Sequence, residues 1–197
     1  MLALMKRRLF LALSAGAAMS LAGRRAAAAE TDTPILTDEG IYTQPWFLNS
    51  FLDLGEDLTE AADQGKRFAV IWEQKGCPYC QETHLVNFAQ PEIQGFVRDN
   101  FEVLQLNLFG AREVTDFDGE ALEERQLARK YAIAFTPTIQ FFPDRLDQVG
   151  GRAGKSVEVA RMPGYLQPPH FLAMFKFVRD RAYEDSSFRS YLKAASQ

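Results

Sequence analysis

The sequence predicts an α/β fold in which a central mixed β-sheet is flanked by helices. Two strands are indicated by an apolar run at residues 67–73 and by an alternating pattern at 101–107, with helical segments around them. Two further strands, at 138–142 and 157–162, are joined through a glycine-rich turn and followed by a strongly apolar helix. Strand and helix thus alternate first, and a hairpin and a helix follow. This order predicts a mixed sheet covered by helices.

The helical spacing of apolar residues predicts the helices of the chain. The first and last helices are N-terminal and C-terminal helical extensions of the sheet. A polar insertion at residues 112–120 precedes the fourth helix. The predicted helices cover residues 52–64, 77–88, 91–99, 121–131, 168–178 and 187–195.

The N-terminus has the three-part pattern of a secretory signal peptide, which we assign to residues 1–29. A basic start with Lys6, Arg7 and Arg8 precedes an uncharged apolar run, and four alanines offer a cleavage site before Glu30. The alternative is a membrane anchor, which needs about 20 apolar residues, and this run is shorter. We therefore expect a cleaved signal, a loose N-terminal arm over 30–50, and a single domain over 51–197.

The same basic start resembles the twin-arginine export signal, although Lys6 stands where Ser or Thr is usual. Export by this route and by the general secretory route both remain open, and both end outside the cytoplasm. In a bacterium the destination is the periplasm, an oxidising space in which a lone disulfide persists.

Composition excludes some functions. The net charge is −4 with acidic and basic residues interspersed, so there is no basic stripe for nucleic acid. No second apolar segment is long enough to span a bilayer. We expect a monomer with no bound cofactor and no metal, whose chemistry resides in a redox-active disulfide.

The two cysteines of the chain, Cys77 and Cys80, are two residues apart and directly follow the apolar strand. Thiolate is the nucleophile in disulfide exchange, and the free N–H groups at a helix N-terminus stabilise it. With no third cysteine, the pair cannot belong to a larger disulfide framework or to a four-cysteine zinc site. One redox-active pair, and hence a thiol–disulfide oxidoreductase, is the natural interpretation.

The order of elements resembles the thioredoxin fold, and two motifs agree with it. One is the Cys77–Cys80 pair after a strand. The other is Phe135-Thr136-Pro137-Thr138, which opens a later strand. The resemblance implies that the Thr136–Pro137 bond is cis, that Pro137 lies against the disulfide, and that the backbone of Thr136 pairs with an extended substrate segment. Taken alone, Pro137 would be an ordinary strand-start proline.

A narrower resemblance is to periplasmic thioredoxins of the SoxW type, which are associated with bacterial sulfur-compound oxidation. It implies a reductant that receives electrons from a membrane thiol transporter and passes them to periplasmic protein disulfides, among them sulfur-oxidation carrier proteins. A general disulfide donor or isomerase is the alternative within this chemistry. The resemblance is carried by residues 73–80, 106–110, 113–119, 135–138 and 162–165.

The residues between and before the cysteines receive specific roles. Cys77 is expected to be the exposed attacking thiolate, and Cys80, one turn into the helix, the buried resolving thiol. Pro78 suits the first helical turn because it has no N–H to lose. Tyr79 can contact the partner protein, or it is an exposed surface residue with no role in binding.

An acidic residue is expected near Cys80 as a proton acceptor. In cytoplasmic thioredoxins a buried Asp lies six residues before the first cysteine, and this position is Ile71 here. Glu73 faces the same side of the strand, because side chains alternate along it. We propose Glu73 as the substitute base, against the alternative of a solvated glutamate at a strand end.

A copper-binding chaperone is the alternative from another class of protein. Cys77, Cys80 and His84 offer three soft or borderline ligands, with His84 four residues after Cys80. Copper chaperones with thioredoxin-like folds have a wider cysteine spacing and a distant histidine, so we expect His84 to be solvent-facing or a helix cap.

Overall fold

The structure is a computed structural model that describes residues 32–195. The predicted signal peptide at 1–29 therefore lies outside the described residues. None of the helices within the described part has the length and apolar composition needed to cross a bilayer. The elements in chain order are β1 Ile35–Leu36, β2 Tyr42–Thr43, α1 Leu54–Asp63, β3 Arg67–Glu73, α2 Pro78–Glu82, α3 Pro91–Asn100, β4 Phe101–Asn107, β5 Glu113–Thr115, β6 Ala121–Glu123, α4 Glu124–Lys130, β7 Thr138–Phe141, β8 Ala160–Pro163, α5 Pro168–Arg179 and α6 Phe188–Ala195.

The central sheet has the strand order β4-β3-β7-β8. Strand β3 pairs parallel with β4 along its whole length and antiparallel with β7, which in turn pairs antiparallel with β8. All seven residues of β3 are buried, as expected of a strand with neighbours on both edges and helices on both faces. The predicted α/β fold with a mixed central sheet is confirmed.

Each face of the sheet packs against its own set of helices. Val70 and Trp72 of β3 join one core with apolar residues of α1 and α4. Ala69 and Ile71 point to the other face, where they join a core with α3 and α5. The alternation of side chains along β3 therefore divides the apolar residues between the two cores.

The fourth helix is shorter than predicted. Residues 121–131 were expected to be helical, but Ala121–Glu123 forms β6 and pairs with β5, which lies within the expected polar insertion. Leu122 opposes Val114 in this hairpin, and Val114 is fully buried. Glu123 then caps α4 through a capping box with Gln126, which fixes the start of the helix after the strand.

Two other predictions are wrong in detail. The strand expected at 157–162 is β8 at Ala160–Pro163, because a short 3-10 helix occupies Gly154–Val157. The helix expected from Cys77 to Phe88 is divided into α2 and a π-helical turn at Thr83–Asn87. Phe88 N–H donates to Thr83 O across this wider turn, at 2.9 Å.

The described part of the N-terminal arm packs against the domain rather than lying loose. Strands β1 and β2 form a small antiparallel hairpin, and Ile41 within it is buried. The amide of Gln105 on β4 donates to Tyr42 O at 2.6 Å, and Leu48 N–H donates to Val103 O at 2.9 Å. The arm is therefore joined to the outer edge of β4.

Helix α1 contains a buried carboxylate in its first turn. Asp53 caps the helix by accepting from the N–H groups of Gly55 and Glu56, whereas Asp57 is buried and bonded to Ser50 Oγ at 2.7 Å. Burial raises the pKa of Asp57 to about 6, against a lowering by the Ser50 hydrogen bond, and nearby carboxylates add to the rise.

We predict that Asp57→Asn removes a loss of stability that the wild-type protein undergoes as the pH rises through about 6. An acid whose pKa is higher in the folded than in the unfolded chain loses stability as pH rises from about 4 to about 6. The variant lacks this loss and should gain about 1 to 2 kcal/mol relative to wild type between pH 4 and pH 7.5, after allowance for solvent screening. Urea unfolding at both values measures the gain. The exposed Asp63→Asn on the same helix is the control, and an equal gain in both variants would contradict the assignment.

Candidate active site

The redox pair lies where β3 gives way to α2. Gly76 makes the turn with a φ of 73°, a conformation that glycine adopts without steric cost. Cys77 is the N-cap of α2, and its Sγ accepts a hydrogen bond from the Cys80 N–H at 3.1 Å. Pro78 occupies the first turn, as predicted. The two cysteines form a disulfide, with their Cα atoms 5.3 Å apart. The hydrogen bond to Cys77 Sγ is of the kind that favours thiolate on the first cysteine.

Burial of the two sulfurs differs from the expectation. Cys77 was predicted to be exposed and Cys80 buried. Both residues are buried, with exposed fractions of 6% and 4% respectively. The reason is the N-terminal hairpin, since Ile41 and Tyr42 line the same small cavity as both cysteines. Its volume of about 10 Å³ is roughly the space of one water molecule. In the disulfide form, therefore, the arm covers part of the redox pair.

Aromatic residues lie beside the disulfide. Tyr79, between the two cysteines, is 58% exposed and stacks on Tyr165 with ring centroids 5.9 Å apart. The hydroxyl of Tyr165 donates to Asn87 Oδ1 at 3.0 Å, which ties the stack to the π-helical turn. Burial raises the pKa of Tyr165, and Glu82 adds to the rise, so this phenol stays neutral and keeps its proton for the bond.

The second predicted motif lies at the start of β7. The Thr136–Pro137 peptide bond is cis, and Pro137 is buried while Phe135 is exposed. Thr138 opposes Trp72 of β3 in the antiparallel ladder, so Pro137 lies one step beyond, at the end of β3 from which the cysteine loop departs. The Oγ1 atom of Thr136 is buried without a hydrogen-bond partner. The fold thus brings the two sequence motifs together at the same end of the two central strands, β3 and β7.

Glu73, the predicted base, is fully buried at the end of β3 rather than solvated. Its Oε2 accepts from His84 Nε2 at 2.9 Å and from the amide of Gln105 on β4. Among residues 32–195, the hydrogen-bond partners of this carboxylate are His84 and Gln105 and not Cys80. Its second oxygen, Oε1, is buried without a partner. Any action of Glu73 on Cys80 must therefore pass through intervening groups.

His84 contradicts the expectation of a solvent-facing or capping side chain. It is fully buried, because the π-helical turn after α2 places it against β3. Both ring nitrogens have partners, since Nδ1 lies 3.1 Å from the Gln44 amide nitrogen and Nε2 faces Glu73. Within the described part of the chain, no group of three or more Cys, His, Asp or Glu side chains is placed to hold a metal ion.

Sequence reasoning missed Gln44, Tyr42 and Gln105, which surround the Glu73–His84 pair. Glutamine in an arm or on a strand carries no chemical signature of its own, so nothing in the pattern singled these residues out. The i, i+4 spacing of Cys80 and His84 was a usable signal, because residues four apart share one helix face. A histidine on the face of a buried cysteine is itself expected to be buried.

A family profile and one solved structure agree with this architecture. The family profile described as a thioredoxin-like domain matches residues 54–179. A thioredoxin-fold protein from Helicobacter pylori superposes with a TM-score of 0.56 at 19% sequence identity, covering 77% of this chain and 92% of that one. A thioredoxin from Thermus thermophilus gives 0.48 at 24% identity, covering 64% and 83%. A DsbH oxidoreductase gives 0.40 at 17% identity, covering 73% and 92%.

No curated protein sequence matches the chain significantly. The similarity to the Helicobacter pylori protein concerns the fold alone. The profile spans more than half of the 197 residues, including both cysteines and Pro137. The chain belongs to the thioredoxin-like domain family.

Proposed function

We propose that this protein is a periplasmic thiol–disulfide oxidoreductase that reduces disulfides in partner proteins. The observation that carries the proposal is the Cys77–Cys80 disulfide at the start of α2, with the Cys80 N–H directed at Cys77 Sγ. A backbone donor at that sulfur favours its thiolate, which is the attacking species in exchange. The thioredoxin-like family to which the chain belongs supports the same chemistry.

The reaction transfers two electrons from the reduced pair to the partner. Cys77 thiolate attacks one sulfur of the partner disulfide, forming a mixed disulfide and releasing the other partner sulfur as a thiolate. Cys80 then loses its proton, attacks Cys77 Sγ and releases the second partner thiolate. The proton from Cys80 passes to one of the two partner thiolates. The protein ends with the Cys77–Cys80 disulfide, and the partner with two reduced sulfurs.

The partner is an extended polypeptide segment that carries a disulfide. Tyr79, between the two cysteines, and Phe135, two residues before Pro137, are both more than half exposed and offer apolar contact. The backbone at Thr136, next to the cis bond, is the position at which such a segment would pair in the manner of an added strand. Interactions of this kind are tolerant of side-chain sequence, which suits a reductant with several partners.

The periplasmic assignment rests on the N-terminal sequence. The signal pattern at residues 1–29 implies export, by the twin-arginine or the general secretory route. A reductant in an oxidising compartment requires a source of electrons, and a membrane thiol transporter is the donor that the SoxW resemblance implies. The same resemblance proposes sulfur-oxidation carrier proteins as electron acceptors.

Cysteine variants test the exchange mechanism. We predict that Cys77→Ser lowers the reduction of insulin disulfides by dithiothreitol to the uncatalysed rate, because the attacking sulfur is lost. Cys80→Ser should instead accumulate mixed disulfides through Cys77, which non-reducing electrophoresis and peptide mass mapping detect. Retained activity in Cys77→Ser, or trapping through Cys80 in Cys77→Ser, would contradict the assigned roles.

A copper titration separates this function from that of a metal chaperone. Because His84 is engaged by Glu73 and Gln44, we expect His84→Gln to leave the Cu(I) affinity of the reduced protein unchanged within about twofold, or 0.4 kcal/mol. Competition with a chromophoric Cu(I) chelator measures this affinity, and Cys80→Ser is the control that removes a sulfur ligand. A tenfold or greater loss in His84→Gln would favour the chaperone.

A further inference from the structure

A surface pocket lies between the end of β4, helix α4 and the turn that precedes the cis bond. Its volume is about 260 Å³, and among the residues that line it are Phe109, Ala128, Ile133, Ala134, Arg125 and Arg129. We call it the α4 pocket. Ala128 and Ile133 are buried and belong to the core on that face of the sheet, whereas Phe109 is 70% exposed. A cavity of about 150 Å³ holds benzene in another protein, so the α4 pocket has room for one aromatic side chain.

Two segments of the chain join the α4 pocket to the redox site. Leu108, which also lines the pocket, follows β4 directly, and its N–H donates to the carbonyl oxygen of Glu73 at 2.8 Å. Glu73 is the last residue of β3 before the cysteine loop. On the other side, Ala134 is two residues before Thr136 at the cis bond. An extended chain rises about 3.3 Å per residue, so a partner segment that pairs at Thr136 reaches the pocket within about two or three residues.

Two exposed aromatic residues belong to the segments that form the pocket. Phe109 follows β4 by two residues, and Asn107 Oδ1 holds its backbone in place by accepting from the Phe109 N–H at 3.1 Å. Phe135 directly follows Ala134 and is 53% exposed. Single exposed apolar residues are common on protein surfaces. Two aromatic rings beside an apolar pocket, close to a reactive pair, instead indicate a surface that binds an apolar group of a partner.

The α4 pocket also carries positive charge. Arg125 and Arg129 are four residues apart on α4 and therefore share one face of the helix. Arg125 forms an ion pair with Glu123. Arg129 is exposed, and within residues 32–195 its guanidinium has no ion-pair or hydrogen-bond partner. Because a guanidinium binds a carboxylate through two parallel hydrogen bonds, the ligand that complements Arg129 is an acidic group.

The other carboxylates around α4 and β4 have partners of their own. Glu124 is buried and forms an ion pair with Arg112. The three carboxylates of the loop after β5 pair with Lys130, and Glu39 of the arm accepts from the Asn107 side chain at 3.0 Å. The net charge of the protein is −4, so an acidic partner is attracted at the α4 pocket and repelled by much of the remaining surface. This contrast favours docking in one orientation.

We propose that the α4 pocket selects partner segments in which an aromatic side chain stands next to a carboxylate, about two or three residues from the cysteine under attack. Phe109 and Arg129 are the specificity-determining residues. The aromatic ring fills the apolar lining beside Phe109, and the carboxylate pairs with Arg129. The electron transfer itself does not involve these residues, since neither lines the cavity next to the two sulfurs. This inference rests on the proposed function and extends it by naming the class of partner.

Four matched peptides test the selection. Each carries one cysteine as a mixed disulfide with 2-mercaptoethanol, flanked on both sides, after two spacer residues, by the pair Phe-Glu, Phe-Lys, Ala-Glu or Ala-Lys. The reduced protein is mixed with each peptide at low salt, the reaction is stopped with acid, and the released peptide thiol is quantified by chromatography. We expect the Phe-Glu peptide to react about tenfold faster than Ala-Glu, because the ring is buried, and about fivefold faster than Phe-Lys, because the charges pair.

Variants of the two residues separate selection from a structural effect. Phe109→Ala should reduce the preference for Phe over Ala, and Arg129→Glu should reverse the charge preference, so that Phe-Lys reacts faster than Phe-Glu. A loss of structure would slow all four peptides alike and would not reverse a preference. Arg145→Glu is the control with the same change in charge, because Arg145 is exposed and lies near the end of α1, at the opposite end of β3 from the cysteine loop. High salt should weaken the charge preference in the wild-type protein.

A small neutral disulfide distinguishes failure of this inference from failure of the proposed function. Bis(2-hydroxyethyl) disulfide does not extend to the α4 pocket, so the wild-type protein and all three variants should reduce it at the same rate. If they do, but the four peptides react equally or Arg129→Glu keeps the wild-type preference, the selection is overturned and the proposed function stands. If the wild-type protein reduces it no faster than free dithiothreitol does, the proposed function fails and the inference with it. A wild-type dimer in sedimentation that Phe109→Glu dissociates would assign the pocket to a second copy of the chain and overturn the selection.

Discussion

Pairing of β3 with β4 on one side and with β7 on the other fixes the position of the groups that the sheet contributes to the site. Because β3 is buried along its whole length, its end presents Glu73 inside the protein and the cysteine loop just beyond it. The parallel ladder places Gln105 of β4 two residues from the strand end, within reach of Glu73. The antiparallel ladder brings the cis bond before β7 next to the end of β3 from which the cysteine loop departs.

The N-terminal arm completes the site that β3 begins. Its hairpin lies against both cysteines, and Gln44 reaches the far side of the His84 ring. Without these residues, the Glu73–His84 pair would lack a partner at Nδ1 and part of its cover from water. The arm therefore supplies a hydrogen bond to the buried His84 ring as well as packing against the domain.

Local patterns predicted the parts of the fold that depend on local sequence. Strand β3 was predicted from its apolar run and β4 from its alternating pattern, whereas the start of α5 was predicted from two consecutive prolines. The redox role of the cysteine pair was predicted from its position after a strand. The hairpin of β5 and β6 was missed because its register depends on Val114 reaching the core. The burial of His84 was missed although its i, i+4 spacing from Cys80 places both residues on one buried helix face. The π-helical turn at Thr83–Asn87 was not predicted, because no local pattern of the sequence indicates it.

The direction of electron flow depends on the difference in reduction potential between the Cys77–Cys80 pair and its partner. A difference of about 30 mV corresponds to about 1.4 kcal/mol. The reduction potential of the Cys77–Cys80 pair, measured by equilibration with glutathione and quantified by thiol alkylation, tests the reductant role most directly. We expect a value close to that of thioredoxin, about −270 mV. A value near about −120 mV, typical of a strong periplasmic disulfide donor, would contradict that role.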